Sequence, residues 1–119
     1  MTINKVNNER LRKNREFRNV MQNGVSHGTR NLVLYILANN LNMNRAGFVA
    51  SKKVGNSVVR NRIKRLLKES YRFYGSNIKT GNDLVFIARL PFARLNYKQA
   101  VAEMRYILQR GGLFIIKSK

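Results

Sequence analysis

The stretch LVLYILA, residues 32–38, has no charged or strongly polar side chain at any position. Its β-branched and aromatic content, followed by the turn formers Asn39 and Asn40, predicts a strand over 32–37. In a strand Leu32, Leu34 and Ile36 point one way, and Val33, Tyr35 and Leu37 the other. Both faces are therefore apolar, so both should be covered by something. The run is far shorter than the roughly 20 residues of a membrane span. The first 20 residues carry no apolar signal segment. The chain reads as soluble and cytoplasmic.

The remaining pattern supplies the cover. Residues 1–9 lack periodicity and read as a flexible basic-polar arm, and 117–119 as a tail. A helix is expected from Asn14, as N-cap, to Asn23, with Gly24 as its C′ stop and Phe17, Val20 and Met21 on one face. After the first strand, NNLNMN turns the chain into a second strand over 46–51. The short separation suggests an antiparallel, hairpin-like pair. A long helix is expected over 57–74, a loop over YGSNIKTGN, and a third strand at DLVFIAR, 83–89, bounded by Pro91. Asn96 and Gln99 form a capping box for the last helix. That helix has the apolar stripe Tyr97, Val101, Met104 and Leu108 and ends at Gly111 and Gly112. LFIIK, 113–117, is left between strand and packed coil. With 119 residues there is room for one core. The order α-β-β-α-β-α implies an α+β domain, a two-layer α/β sandwich around one small sheet.

The long helix has two faces. From Asn61, at about 100° per residue, Lys64, Arg65, Lys68 and Arg72 fall within roughly 50–60° of one direction, with Arg60 and Arg62 flanking them. Val59, Ile63, Leu66, Ser70, Phe73 and Tyr74 lie opposite. Like charges at i,i+4 destabilise a helix by a few tenths of a kcal/mol, and here they repeat with only Glu69 to one side. A merely solvated face would mix its signs; this one reads as a polyanion-binding face. Just before it, Gly55 permits a tight turn and Asn56 or Ser57 can cap the helix. Free N–H groups beside Lys52, Lys53 and Arg60 then form an anion site at the positive end of the helix dipole.

Charge points the same way. The 24 basic and 5 acidic residues give a formal net charge of +19, a surplus suited to a nucleic-acid partner, and an isolated chain should bind phosphate or sulfate. There is no cysteine, which excludes disulfides and thiolate metal sites. Glu9, Glu16, Glu69, Asp83 and Glu103 are the carboxylates and His27 is the lone histidine, read as a loop residue without a role. A two-metal nuclease needs several converging carboxylates, and a metal-free ribonuclease paired acid and base groups. Neither set is available, so no catalytic side chains and no protein-bound metal or cofactor are expected.

The string GFVASKKVGNSVVRNRIKRLLKESYR, together with RLRKNREF, VMQNG, LVLYIL and DLVFIAR, closely resembles the protein subunit of bacterial ribonuclease P, whose hallmark is an Arg-Asn-Arg motif entering a basic helix. The resemblance implies a subunit that assists a catalytic RNA, with Mg²⁺ serving the holoenzyme, in removing 5′ leaders from precursor tRNA. It also implies a left-handed β-α-β crossover around the basic helix, the fold class shared with a domain of a small-subunit ribosomal protein. Handedness rules alone favour the right-handed form. Carried over by position, the RNA-subunit face comprises Lys52, Lys53, Asn56, Arg60, Asn61, Arg62, Lys64, Arg65, Lys68 and Arg72. The leader cleft comprises Phe17, Met21, Val33, Tyr35 and Arg89. Met21 stands where an aromatic is usual in the family, and Leu90 where a basic residue often occurs. Partners would be ribonuclease P RNA and the precursor tRNA leader, with no DNA and no membrane. A structural ribosomal protein binding rRNA is the alternative that composition leaves open; a sequence-specific DNA binder is a third.

Overall fold

Asn82–Ala88 is apolar from Leu84 onward, and the sheet is built around it. The computed structural model describes residues 8–115; the expected tail 117–119 and the first seven residues of the expected arm lie outside them. The chain forms β1 (Asn8–Arg10), α1 (Asn14–Asn23), β2 (Val25–Gly28), β3 (Leu32–Ala38), β4 (Asn44–Ala50), α2 (Ser57–Phe73), β5 (Asn82–Ala88) and α3 (Tyr97–Arg110). The five strands make one mixed sheet in the order β1-β4-β5-β3-β2. The α+β class and the helix-on-sheet layering agree with expectation, with two short strands added.

Three expectations about the strands are corrected. β3 and β4 do not pair: β5 lies between them, antiparallel to β3 and parallel to β4. Leu84, Val85 and Phe86 are all fully buried, and the strand that is apolar on both faces takes the centre, where both faces are covered. Residues 8 and 9 belong to β1, parallel to β4, rather than to an arm. His27 is in β2, an edge strand paired antiparallel to β3, rather than in a loop. β2 is mostly exposed, so its sequence carries no apolar alternation to reveal it.

Pairing register sorts the side chains into two faces. Leu32, Leu34, Ala46, Leu84, Phe86 and Ala88 join Ile63, Leu67 and Tyr71 of α2 and Ala100, Met104, Ile107 and Leu108 of α3 in the main core. Within it the rings of Phe48, Tyr71 and Phe86 pack with centroids 5.2–5.8 Å apart. Burial raises the Tyr71 hydroxyl above its ordinary pKa, offset in part by a hydrogen bond with the Asn44 side chain. The expected apolar stripe of α2 holds at Ile63, Ser70 and the partly buried Val59, Leu66 and Tyr74, but Leu67 and Tyr71 are also inside and Phe73 is 61% exposed. In α3, Tyr97 is likewise not part of the buried stripe, being 47% exposed.

Among the described residues, the second face is covered by α1 and the segment leading into it. Leu11, Val20 and Val85 are buried there, with Phe17, Tyr35, Leu37, Val49 and Ile87 half-buried around them. The Phe17 ring sits directly over Gly47, where any Cβ would collide with it. Helix α1 is capped by Lys13, not Asn14. Glu16 Oε1 accepts the backbone N–H groups of Arg12 and Lys13 at 3.0 and 3.1 Å. Gly24 does not adopt the left-handed stop conformation; it lies extended, and a Cβ would meet the Val20 and Ile36 carbonyl oxygens at 2.5 and 2.7 Å.

At the start of β4 and β5, Arg45 donates two hydrogen bonds to the buried Asp83 at 2.8 and 2.7 Å, and Asn39 donates a third at 2.9 Å. Arg45 also approaches Glu16 of α1 at 3.6 Å. The segment between strand and coil at 113–117 is extended where it is described. Phe114 bridges Ile78 antiparallel, and Leu113 and Ile115 exchange backbone hydrogen bonds with Lys79 and Asn77.

Candidate nucleic-acid interface

The chain reaches α2 through a short 3₁₀ turn, Lys52–Val54, pinned by buried Val54 and leaving Lys52 and Lys53 exposed. Gly55 follows at φ +151°, a conformation side-chain-bearing residues rarely adopt, and a Cβ there would lie 2.8 Å from Val59. Asn56 is the cap: its Oδ1 accepts the Val59 N–H at 3.0 Å. No carboxylate occupies the first turn of α2, so the dipole's positive end stays uncompensated there.

Along α2, Asn61, Arg62, Lys64, Arg65 and Arg72 are exposed, while Arg60 and Lys68 are half-buried. The structure thus brings the predicted RNA-facing set onto one surface of one helix and its lead-in turn. Arg60 Nε is a buried donor without a hydrogen-bond partner among the described residues. Such a group costs on the order of 1–3 kcal/mol when left unpaired. Sequence reasoning missed Arg10. It pairs in register with Ala46, whose side chain belongs to the main core under the helices, so Arg10 stands on the same side of the sheet as α2. Its guanidinium, then partial burial, then Arg72 push the Lys68 ammonium below its ordinary pKa. Like charges held together in this way are relieved by a bound anion. A three-residue strand has no periodicity, and no sequence signal would have found Arg10.

The carboxylates do not converge. Asp83 and Glu16 are engaged by Arg45, and Glu16 also holds the α1 N-terminus. The hydrogen bonds from Arg12 and Lys13 hold the Glu16 carboxyl below its ordinary pKa. Glu103 accepts the Thr29 hydroxyl proton at 2.6 Å, tying α3 to the β2–β3 turn. Among the described residues no three His, Cys, Asp or Glu side chains are grouped to hold a metal ion. No described helix is long and apolar enough to cross a membrane.

The predicted cleft residues lie on the α1 face. Phe17 and Tyr35 pack in one cluster, which includes neither Met21 nor Val33. Met21 is exposed on α1. Val33 is half-buried and pairs in register with Gly28 and Ile87. The Arg89 guanidinium reaches this same side, 3.6 Å from where a Gly28 Cβ would point. The surface is therefore an apolar strip, half-covered by α1, with a cation at one end.

A basic helix face on one side of a small mixed sheet and a half-open apolar strip on the other define an RNA-binding α+β domain. Residues 6–112 match the Ribonuclease P family. The chain is 50% identical over 109 residues to the ribonuclease P protein component of Clostridium novyi, covering 90% of this chain and 96% of that one. It is 48% identical over 103 residues to that of Alkaliphilus metalliredigens, covering 87% and 93%. A mutant RNase P protein of Staphylococcus aureus with defective mRNA degradation activity superposes with a TM-score of 0.82 at 31% identity, covering 88% of this chain and 89% of that one. The RNase P protein of Thermotoga maritima gives 0.78 at 27%, covering 92% and 99%. The chain belongs to the ribonuclease P protein component family. Its role is that of an RNA-binding subunit of this tRNA-processing endoribonuclease, and the ribosomal-protein alternative is not favoured.

Proposed function

We propose that the α2 surface binds the RNA subunit of ribonuclease P while the α1 face of the sheet holds the 5′ leader of precursor tRNA. The RNA-subunit contacts are Lys52, Lys53, Asn56, Arg60, Asn61, Arg62, Lys64, Arg65, Lys68 and Arg72, joined by Arg10. The leader contacts are Phe17, Met21, Val33, Tyr35 and Arg89. One observation carries the reading: α2 presents a row of cations to solvent while Asp83, Glu16 and Glu103 are engaged elsewhere in the fold. Cations without carboxylate partners attract phosphates and release their counterions.

In this reading the RNA performs the hydrolysis in the cytoplasm. The described carboxylates are too scattered to hold Mg²⁺, so the ion is assigned to the RNA, and the protein supplies position. Half-buried aromatic side chains on the α1 face offer stacking surfaces to unpaired bases, each contact worth about 1–3 kcal/mol. The test mixes the protein with ribonuclease P RNA and precursor tRNA at low Mg²⁺. Faster leader cleavage than with RNA alone is expected; no gain would overturn the proposal. Phosphate or sulfate should also raise the melting temperature beyond chloride of equal ionic strength, because anions bound only by the native state stabilise it.

A further inference from the structure

Two aromatic side chains that the sequence places in the core stand instead on the surface, and both line the same groove. Phe73 at the end of α2 and Tyr97 at the start of α3 line a shallow groove between the two helices, with Glu69 and Arg72. The Phe73 ring is braced by its neighbours. Phe73 packs edge-on against Tyr74 with centroids 5.0 Å apart, and Tyr74 packs likewise on Phe114 at 5.4 Å. The Tyr74 hydroxyl donates to the Val101 carbonyl oxygen at 3.1 Å.

Glu69 is unlike the other described carboxylates. Glu16, Asp83 and Glu103 each have hydrogen-bond or ion-pair partners, whereas Glu69, exposed on a helix crowded with cations, has none among the described residues. An acceptor-only group that lines one groove with two exposed rings and a guanidinium asks for a ligand combining a flat face, N–H donors and a negative charge. A basic peptide would meet Glu69 but be repelled by the +19 chain. An apolar helix would bury Glu69 and Arg72 unpaired. An unpaired nucleotide meets all three demands.

Among the four bases, guanine alone carries two adjacent donors, N1–H and N2–H, on its Watson–Crick edge. Adenine and cytosine place an acceptor beside their amino group, and uracil flanks its single N–H with carbonyls. Either arrangement turns a lone pair toward a carboxylate. We infer that the Glu69–Arg72–Phe73–Tyr97 groove is a second RNA contact, which takes one unpaired guanine, stacked on the aromatic rings with its N1–H and N2–H donated to Glu69 and its phosphate on Arg72. The inference rests on the RNA-partner reading above and extends the α2 surface assigned there, sharing Arg72 with it and adding Glu69, Phe73 and Tyr97.

The test titrates the full chain at low salt into labelled UUGUU, UUAUU and UUUUU, reading anisotropy. UUGUU should bind at least about fivefold tighter than the other two, the lower end of a bidentate base contact. Glu69→Gln should reduce that ratio below about twofold, while removal of the negative charge leaves UUUUU no weaker. Phe73→Leu keeps an apolar side chain but removes the ring, and should weaken UUGUU by about fivefold or more. Melting temperatures of both variants confirm folding. Equal affinity of the three oligonucleotides for the unmodified chain, or a ratio unmoved by Glu69→Gln, overturns the guanine assignment while leaving the RNA-partner reading intact. No binding of any oligonucleotide also overturns the guanine assignment, whereas the RNA-partner reading stands or falls with the leader-cleavage test.

Discussion

The two faces of the sheet are made from alternate residues of the same strands, yet they are finished differently. Under α2 and α3 the side chains are sealed, with Leu32, Leu34, Leu84 and Phe86 fully buried. Under α1, Leu11, Val20 and Val85 are the buried apolar side chains among the described residues, and Phe17, Tyr35, Val49 and Ile87 remain partly open. One helix cannot cover five strands. The difference shows that apolar alternation in a strand specifies burial on one side and on the other only a surface able to accept something apolar.

The largest test of that contrast is a pair of truncations followed by urea unfolding. Phe86→Ala should cost about 3–5 kcal/mol, as for a sealed core phenyl, and Phe17→Ala only about 1–2 kcal/mol, since its ring is already half-wet. Equal losses would mean the α1 face is an ordinary core. Next in size, Asp83→Asn should cost about 2–3 kcal/mol. It strips the charge from a buried bidentate pair, while Arg45 keeps Glu16 and some solvent. A loss below about 0.5 kcal/mol would show that the cross-link is idle.

Lys64→Ala with Arg65→Ala should leave stability nearly unchanged. The slope of log K against log salt for RNA binding should flatten by about 0.7–0.9 for each phosphate no longer neutralised. An unchanged slope would mean that this face is merely solvated. Phe17→Ala should instead leave the salt slope alone and weaken leader-bearing substrate selectively. The smallest effect is that of Glu16. Its lowered carboxyl pKa stabilises the fold above the ordinary carboxylate value, and that contribution is lost as pH falls through the folded-state pKa. Thermal melts of the native chain and Glu16→Gln should therefore differ at pH 7 and converge in acid.

Much of this is legible in the chain. The extent of α2, its Asn56 cap and the charged stripe follow from i,i+4 spacing and a Gly-Asn turn, which are local. The inward stripe of α2 is ambiguous in sequence because Leu66, Leu67, Tyr71, Phe73 and Tyr74 spread apolar side chains over nearly half of the helix circumference. Which of them goes inside is decided by the position of α3 and the Phe48–Phe86 stack. The same ambiguity hides the groove, since Phe73 and Tyr97 both have the spacing of core residues. Strand order is beyond reach for another reason: β3 and β4 are neighbours in sequence and nothing local announces that β5 will part them. β1 and β2, at three and four residues, are too short or too exposed to show a period.

That parting has a kinetic side. β5 enters between two strands that precede it in the chain, so the sheet stays in two unjoined pieces until residues 82–88 arrive. A β3–β4 hairpin formed early is an off-pathway competitor that must open before the native order can form. The Arg45–Asp83 pair closes only once β5 is seated, and acts as a latch on the correct arrangement. Refolding should therefore be governed by late, long-range pairing and fall toward the slower, millisecond-to-second end for domains of this size.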